Sequence, residues 1–283
     1  MEAWRQGLYH HGIKGQRWGV KNGPPYPLSA SDHSVSEKKA GWRNSLRYTG
    51  SEREKTDHKN AIKTSLIRKG AEIVAACMWA IGEYPLNSRD DLRRIGEYAV
   101  RRKIGPIDGY DSATGFKLKR QNTTMLDDAK ALNPSGDKNN CMVCSMAYDL
   151  RRRGFDVSAA PVNDFGLNLS DISKCYKNIR WDTFTPVKSN REDSFTQFQK
   201  QITQNGEGSR GILTGKYLSG GGHAIAWEVR NERVVFVDGQ IGKIFDDPYS
   251  ELFSRFNELS LSYARLDDLE LNMNRISGFI QDS

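Results

Sequence analysis

The sequence has no run of about 18 apolar residues, the length that a membrane-crossing helix requires. Its longest apolar stretch, IVAACMWAI at residues 73–81, stops at Gly82 and Glu83. No apolar signal core follows Met1, so ordinary secretion is not expected, while export by another route stays open. Cysteine is scarce as well. Cys77, Cys141, Cys144 and Cys175 are the only four in 283 residues, too few to staple a chain of this length. A chain this long buries a core without disulfides or metals, which leaves the thiols for chemistry or simple burial. No internal repeat is present.

Charge is present in excess of one sign. Lys and Arg number 42 against 35 Asp and Glu, a net charge of +7, concentrated at residues 101–103, 117–120 and 151–153. Such clusters can meet nucleic acid or an acidic protein surface. Nucleic-acid binding needs aromatic platforms among phosphate-tracking cations; these clusters lack them, so solubility is the better account. No membrane partner is expected.

Three regions follow from composition and periodicity. Residues 1–56 are polar and punctuated by Gly, Ser and Pro, as in GPPYPLSASDHS, the composition of an extended arm and linker. Residues 57–132 read as a helical region. Over 57–82, Ile62, Leu66, Ile67, Ile73, Val74, Cys77 and Met78 recur three and four apart, as an amphipathic helix requires. Over 90–103, carboxylates open and cations close a second helix, and a short third one lies near 125–132. Residues 133–283 read as an α+β domain, one large helix on an antiparallel sheet. Its elements are a helix at about 140–153 ended by Gly154, a strand at 155–159, a helix near 195–203, and strands at 211–217, 223–230 and 233–238. A helix near 249–257 and a strand near 261–266 complete it. Asn231 and Glu232 fit a tight hairpin turn, with Ala224, Ala226, Val235 and Val237 on one face of the strands.

A thiol becomes a good nucleophile at a helix N-terminus or beside an imidazole. Cys141 follows Asn139 and Asn140, good N-cap residues, and opens the helix CMVCSMAYDLRRR, in the positive end of the helix dipole. Cys144 lies one turn deeper and is expected to be less exposed. His223 follows three glycines that leave its imidazole accessible and starts the strand HAIAWEV. Asp238 ends the next strand and can hold that imidazole in the correct tautomer. On the residues alone, other readings stay open. The CxxC pair could be a zinc half-site with Cys175 and His223, at an unusual spacing, or a redox motif, although no βαβ unit precedes it. A histidine at a strand start can be purely structural.

The stretch NNCMVCSMAYDLRRRGFDVSA, with GGHAIAWEV and VVFVDGQIGKIFDDP downstream, resembles the papain-fold toxin domains of the glutamine-deamidase type found in polymorphic toxins and phage or prophage proteins. The resemblance covers residues 133–266. It implies a papain-like fold, Cys141 as nucleophile, His223 as base and Asp238 as orienter, with Asn140, Cys144 and Gln240 at the substrate. Neither a metal nor a cofactor is called for. Gly239 departs from the family, in which many relatives carry Pro, and is expected to matter little. The segment LYHHGIKGQRWGVKNG resembles a short leader of phage structural and packaged proteins. In a docking peptide Tyr9, Ile13 and Trp18 would be the anchors and the glycines would permit close contact; a flexible tail, or metal binding at His10 and His11, are the alternatives. Together these resemblances imply a phage-associated cysteine hydrolase acting on protein carboxamide or peptide bonds. It would attach to a phage structural protein, act on a host protein, and reside in the virion or the host bacterial cytoplasm. The competing expectation is a virion accessory protein that keeps the fold as a scaffold without turnover.

Overall fold

A computed structural model of the chain describes residues 52–80, 89–104, 107–162, 166–187 and 190–283. The expected docking residues Tyr9, Ile13 and Trp18 lie outside the described residues. Residues 61–283 form one compact unit, distinct from residues 1–60. No helix among the described residues is long and apolar enough to cross a membrane.

The helical periodicities are realised as α1 (Glu52–Ala80) and α2 (Arg89–Ile104). In α1 only part of the expected stripe turns inward, with Met78 packed against Ala75 and Ile95. Leu66, Ile73 and Val74 are more than half exposed, and Ala75 is buried instead. Adjacent apolar pairs such as Ile73 and Val74 point about 100° apart on a helix, so they straddle two faces rather than lining one. The expected amphipathic stripe is in this respect corrected. Helix α2 does bury a face: Ile95, Tyr98 and Val100 are inside, and Tyr98 meets the edge of Phe116 at 5.2 Å. Next comes α3 (Met125–Lys130), whose start is fixed by reciprocal hydrogen bonds between Thr124 and Asp127.

The central helix, α4 (Cys141–Arg152), is buried from Met142 to Arg151. Its far end is held by charge. Buried Asp128 accepts from Lys119 at 2.5 Å, Arg151 at 2.9 Å and Arg152 at 3.2 Å. Arg152 also meets the buried carboxylate of Glu228 at 3.1 Å, and Arg153 meets Asp149 at 2.8 Å. The cations of residues 151–153 are thus committed inward, to carboxylates that could not be buried alone.

After α4 run β1 (Val157–Ala159), α5 (Leu169–Cys175), β2 (Asp182–Thr183), α6 (Arg191–Thr203), β3 (Arg210–Lys216), β4 (Gly222–Arg230), β5 (Arg233–Asp238), β6 (Lys243–Ile244), α7 (Pro248–Glu251), β7 (Ser262–Arg265), α8 (Met273–Ile276) and β8 (Ile280–Asp282). Six strands make an antiparallel sheet in the order β2-β7-β3-β4-β5-β6, and β1 pairs with β8 separately. The β4–β5 turn is the tight one expected: Arg230 pairs with Arg233, and Asn231 and Glu232 both have positive φ, 51° and 60°, as a two-residue hairpin demands.

Two expectations change. The sheet is covered on both faces, not by one helix alone. Ala224, Ala226 and Val237 face α4 in one core, while Ile225, Trp227, Val234 and Phe236 join Phe195 and Phe198 of α6 in a second. The helix expected at 249–257 is α7 followed by 3-10 turns at Phe253–Arg255 and Glu258–Ser260. Phe253 and Phe256 are both fully inside the second core, and a three-residue spacing brings two rings to one side in a 3-10 turn. Tyr98, Phe116, Ala129 and Leu132 share the core of α4, so the segment ahead of residue 133 packs as part of the same body.

Candidate active site

The start of α4 lies at the end of the sheet where β4 begins and β5 finishes, and two features let it come that close. The strand residues facing α4 are the small Ala224 and Ala226. Beyond Asp238 the next residue is Gly239, where a Cβ would stand 2.4 Å from Leu132 Cδ1 and 3.1 Å from Cys144 Cβ. The absence of a side chain there is what the close packing requires, which gives the departure from proline more weight than the sequence suggested.

The three residues read as chemical meet at this point. His223 Nε2 lies 2.7 Å from Asp238 Oδ2, and Cys141 is near enough to act electrostatically on the imidazole. With Nε2 taken by the carboxylate, Nδ1 is the nitrogen left for sulfur. Asp238 is buried, and its second oxygen accepts the Gln240 backbone N–H at 3.0 Å. Burial would push the His223 pKa down. The hydrogen bond to Asp238, the interaction with Cys141 and the charges on both outweigh it and raise the pKa from 6.5 to about 9. Cys141 is partly exposed; Cys144 is fully buried, and burial holds its thiol well above the ordinary range. That separates the two sulfurs as the sequence expects.

Asn140 and Cys144 turn away from the part expected of them, while Gln240 stays half-buried beside them. Asn140 stands at the N-cap position of α4, yet its side chain makes no cap bond. It is completely buried, accepting at Oδ1 from Cys144 Sγ at 3.4 Å and from Gln240 Nε2 at 3.4 Å. Its amide nitrogen donates to Asn133 Oδ1 at 2.9 Å, and Asn133 donates to the Gln240 carbonyl at 3.0 Å. These carboxamides bolt the helix carrying Cys141 to the turn carrying Asp238. Fully buried side chains cannot touch a substrate, so Asn140 and Cys144 act from behind the nucleophile. Because Asn140 does not cap the helix, backbone N–H groups of its first turn are left for an incoming oxygen.

Two participants escaped the sequence reading. Asn133 is the hinge of the carboxamide network. Tyr217 lies over His223 with ring centroids 5.9 Å apart and planes at 21°, and is itself backed by Phe256 at 4.8 Å and 6°. Burial, followed by the charges of Asp238 and Cys141, pushes the Tyr217 phenol up to about 12. A register drawn from the hairpin would have indicated Tyr217, since Gly215 pairs with His223 and residue 217 falls on the same face. No group of three or more His, Cys, Asp and Glu side chains among the described residues is arranged to hold a metal ion.

Residues 139–243 match a family model described as papain fold toxin 1, glutamine deamidase. The matched span includes Cys141, His223 and Asp238 and is less than half of the chain. Among solved structures, a variant of the Salmonella effector SpvD is similar at 16% identity, with 64% of this chain and 93% of that chain covered and a TM-score of 0.41. No curated protein sequence matches. The C-terminal part of the chain has a papain fold, with helices ahead of it.

Proposed function

We propose that the chain is a papain-like cysteine hydrolase that removes ammonia from glutamine side chains of a protein. The observation that carries this reading is one constellation. A partly exposed thiol at a helix start neighbours an imidazole that a buried carboxylate holds at 2.7 Å, inside the span that matches a glutamine-deamidase family model.

In the reaction, His223 takes the proton of Cys141, and the sulfur attacks the carboxamide carbon. The backbone N–H groups at the start of α4 hold the oxyanion of the tetrahedral intermediate. His223 returns the proton to the leaving nitrogen, ammonia departs, and a thioester remains on Cys141. Water, deprotonated by His223, then attacks the thioester and releases a glutamate side chain and the free thiol. Asp238 holds the tautomer and stabilises the imidazolium. Peptide-bond hydrolysis would use the same three residues, with an amine as leaving group.

Mass spectrometry of host proteins after expression is the test. A gain of about one dalton at glutamines, absent with Cys141→Ala, is the expected result of amide-to-acid exchange. Cleaved chains instead would make the protein a protease, and an unchanged proteome with wild type would leave the non-catalytic scaffold. A companion measurement is alkylation at pH 6 in a Cys77→Ser background, since Cys77 is exposed. Cys141 is expected to react quickly and to lose that advantage in His223→Ala.

We also assign residues 8–22 to docking on a phage structural protein, through Tyr9, Ile13 and Trp18, on the form of the leader. Full-length chain is expected to co-purify with virions, and Trp18→Ala to abolish this; equal recovery of both would remove the assignment.

A further inference from the structure

The segments around Cys141 and His223 are the loop into α4, the tip of the β3–β4 hairpin, the turn after β5 and the 3-10 turn at Phe253–Arg255, joined by Tyr217 on His223, Gln240 on Asn140 and the Leu218 N–H on the Arg255 carbonyl. The acids of these segments are spent inward. Asp137 accepts the backbone N–H of Asn139 at 2.8 Å and of Val162 at 2.7 Å, and Asp238 holds His223 and Gln240. Their cations are not spent. Lys138, three residues before Cys141, and Arg255 are exposed, with no carboxylate at ion-pair distance among the described residues. Lys130, at the end of α3, lies against Gly242 in the turn after β5.

The same rim holds two large aliphatic side chains in water. Leu218 is 62% exposed and Ile241 66%. Neither is remote from the chemistry. Leu218 follows Tyr217, whose ring covers His223, and its N–H is bonded to the Arg255 carbonyl at 2.8 Å. Ile241 follows Gln240, whose N–H is bonded to Asp238. Single exposed leucines are ordinary on a protein surface. Two on the segments that carry the residues of the site, with exposed cations on the same segments and Asp137 and Asp238 turned to other partners, make a surface of definite chemistry.

We infer that this rim docks an acidic protein segment, in which the target glutamine is flanked by Asp or Glu and by an aliphatic residue. The carboxylates meet Lys138 and Arg255, and the aliphatic residue lies on Leu218 and Ile241. Opposite charges steer the approach and reject basic segments, while the aliphatic contact supplies the desolvated area that salt does not screen. Nucleic acid is the weaker occupant, because bases stack on aromatic rings and the exposed neighbours here are aliphatic. The glutamine in this statement rests on the proposed deamidase reading; the acidity of the partner rests on the rim alone.

Binding and turnover are therefore measured separately. Full-length Cys141→Ala is titrated with short fluorescent peptides centred on Gln, with acidic flanks plus Leu, acidic flanks plus Ser, or basic flanks plus Leu. The acidic Leu peptide is expected to bind about tenfold or more tighter than the basic one at low salt, with the ratio shrinking as salt is added. Lys138→Glu with Arg255→Glu is expected to reverse the charge preference. Leu218→Ser with Ile241→Ser should weaken the acidic Leu peptide to the level of the acidic Ser peptide. Circular dichroism of these surface variants reports that they fold. Equal binding of acidic and basic peptides, or displacement of the acidic peptide by a single-stranded oligonucleotide, would overturn the inference. Tight binding of the acidic peptide with no ammonia released by wild type would instead sink the deamidase reading and leave the docking surface standing.

Discussion

At the scale of single residues, the position of one proton decides what the site can do. His223 keeps its proton to about pH 9 in the fold, whereas the unfolded chain releases it near 6.5. Its contribution to stability is thus complete below pH 6.5 and is lost as the pH rises through about 9. The same group must give a proton to the departing ammonia, so kcat/KM is expected to fall on the alkaline side with a midpoint near pH 9. Asp238→Asn removes the charge that keeps the imidazole protonated, and should move that limb to lower pH and cut kcat by about 10²–10⁴-fold. A limb that does not move would show that another group sets it. Tyr217 is separable from the three by its ring. Tyr217→Phe keeps the stack on His223 and should hold kcat within about twofold. Tyr217→Ala, which frees the imidazole, should lower kcat roughly ten- to hundredfold and shift the alkaline limb, a change that simple loss of stability would not produce. Cys141, His223 and Asp238 were legible in the sequence because each sits at a local signal: a helix start, a glycine-flanked strand start, a strand end. Asn133, Asn140 and Tyr217 have roles set by what folds against them. Asparagine before a helix reads as a cap whether its side chain turns to the helix or, as here, into the core.

At the scale of elements, the decisive contact is helix against strand end. Gly239 leaves no room for a methyl group between itself and Leu132 or Cys144, both fully buried. Gly239→Ala must displace one of them, with an expected cost of about 1–3 kcal/mol for overpacking. Denaturant unfolding measures that cost. Since the displaced wall is the one that carries Cys141, kcat should fall further than the lost stability explains, as measured well below the melting temperature. Long elements were readable because α4, β4 and β5 each show several periods of their pattern. The second layer was not, although its signal was present: β4 and β5 are continuous apolar runs, the pattern of a sheet covered on both faces. Of the strands of two or three residues, β1 was announced by the Gly154 helix stop ahead of it, while β2, β6 and β8 are shorter than any period that could announce them and have no such marker.

At the scale of the whole molecule, α2 and β8, about 180 residues apart in sequence, close the fold together. Arg101 Nη1 lies 2.6 Å from Asp282 Oδ2, the Arg94 guanidinium donates to the Gly278 carbonyl at 2.9 Å, and the Tyr98 hydroxyl donates to the Ile280 carbonyl at 3.4 Å. Strand β8 in turn pairs with β1, which packs beside α4. Asp282→Ala breaks the ion pair at a site little exposed on either side. It is expected to cost about 1–3 kcal/mol, visible as a lower Tm that is restored only weakly by salt. An unchanged Tm would mean that the Arg101–Asp282 pair adds nothing net to this closure. No pattern in the sequence joins residue 101 to residue 282; such a pairing exists only once the sheet and α4 have brought the two together.

The clasp also imposes an order in time. During synthesis, Cys141, His223 and Asp238 leave the ribosome before residues 280–282 do, and until those arrive β1 has no partner strand and α2 holds the body through Phe116 and Gly115 without its bonds to Ile280 and Asp282. A nascent chain therefore carries every reacting group before the α2–β8 clasp can close around the core that supports them.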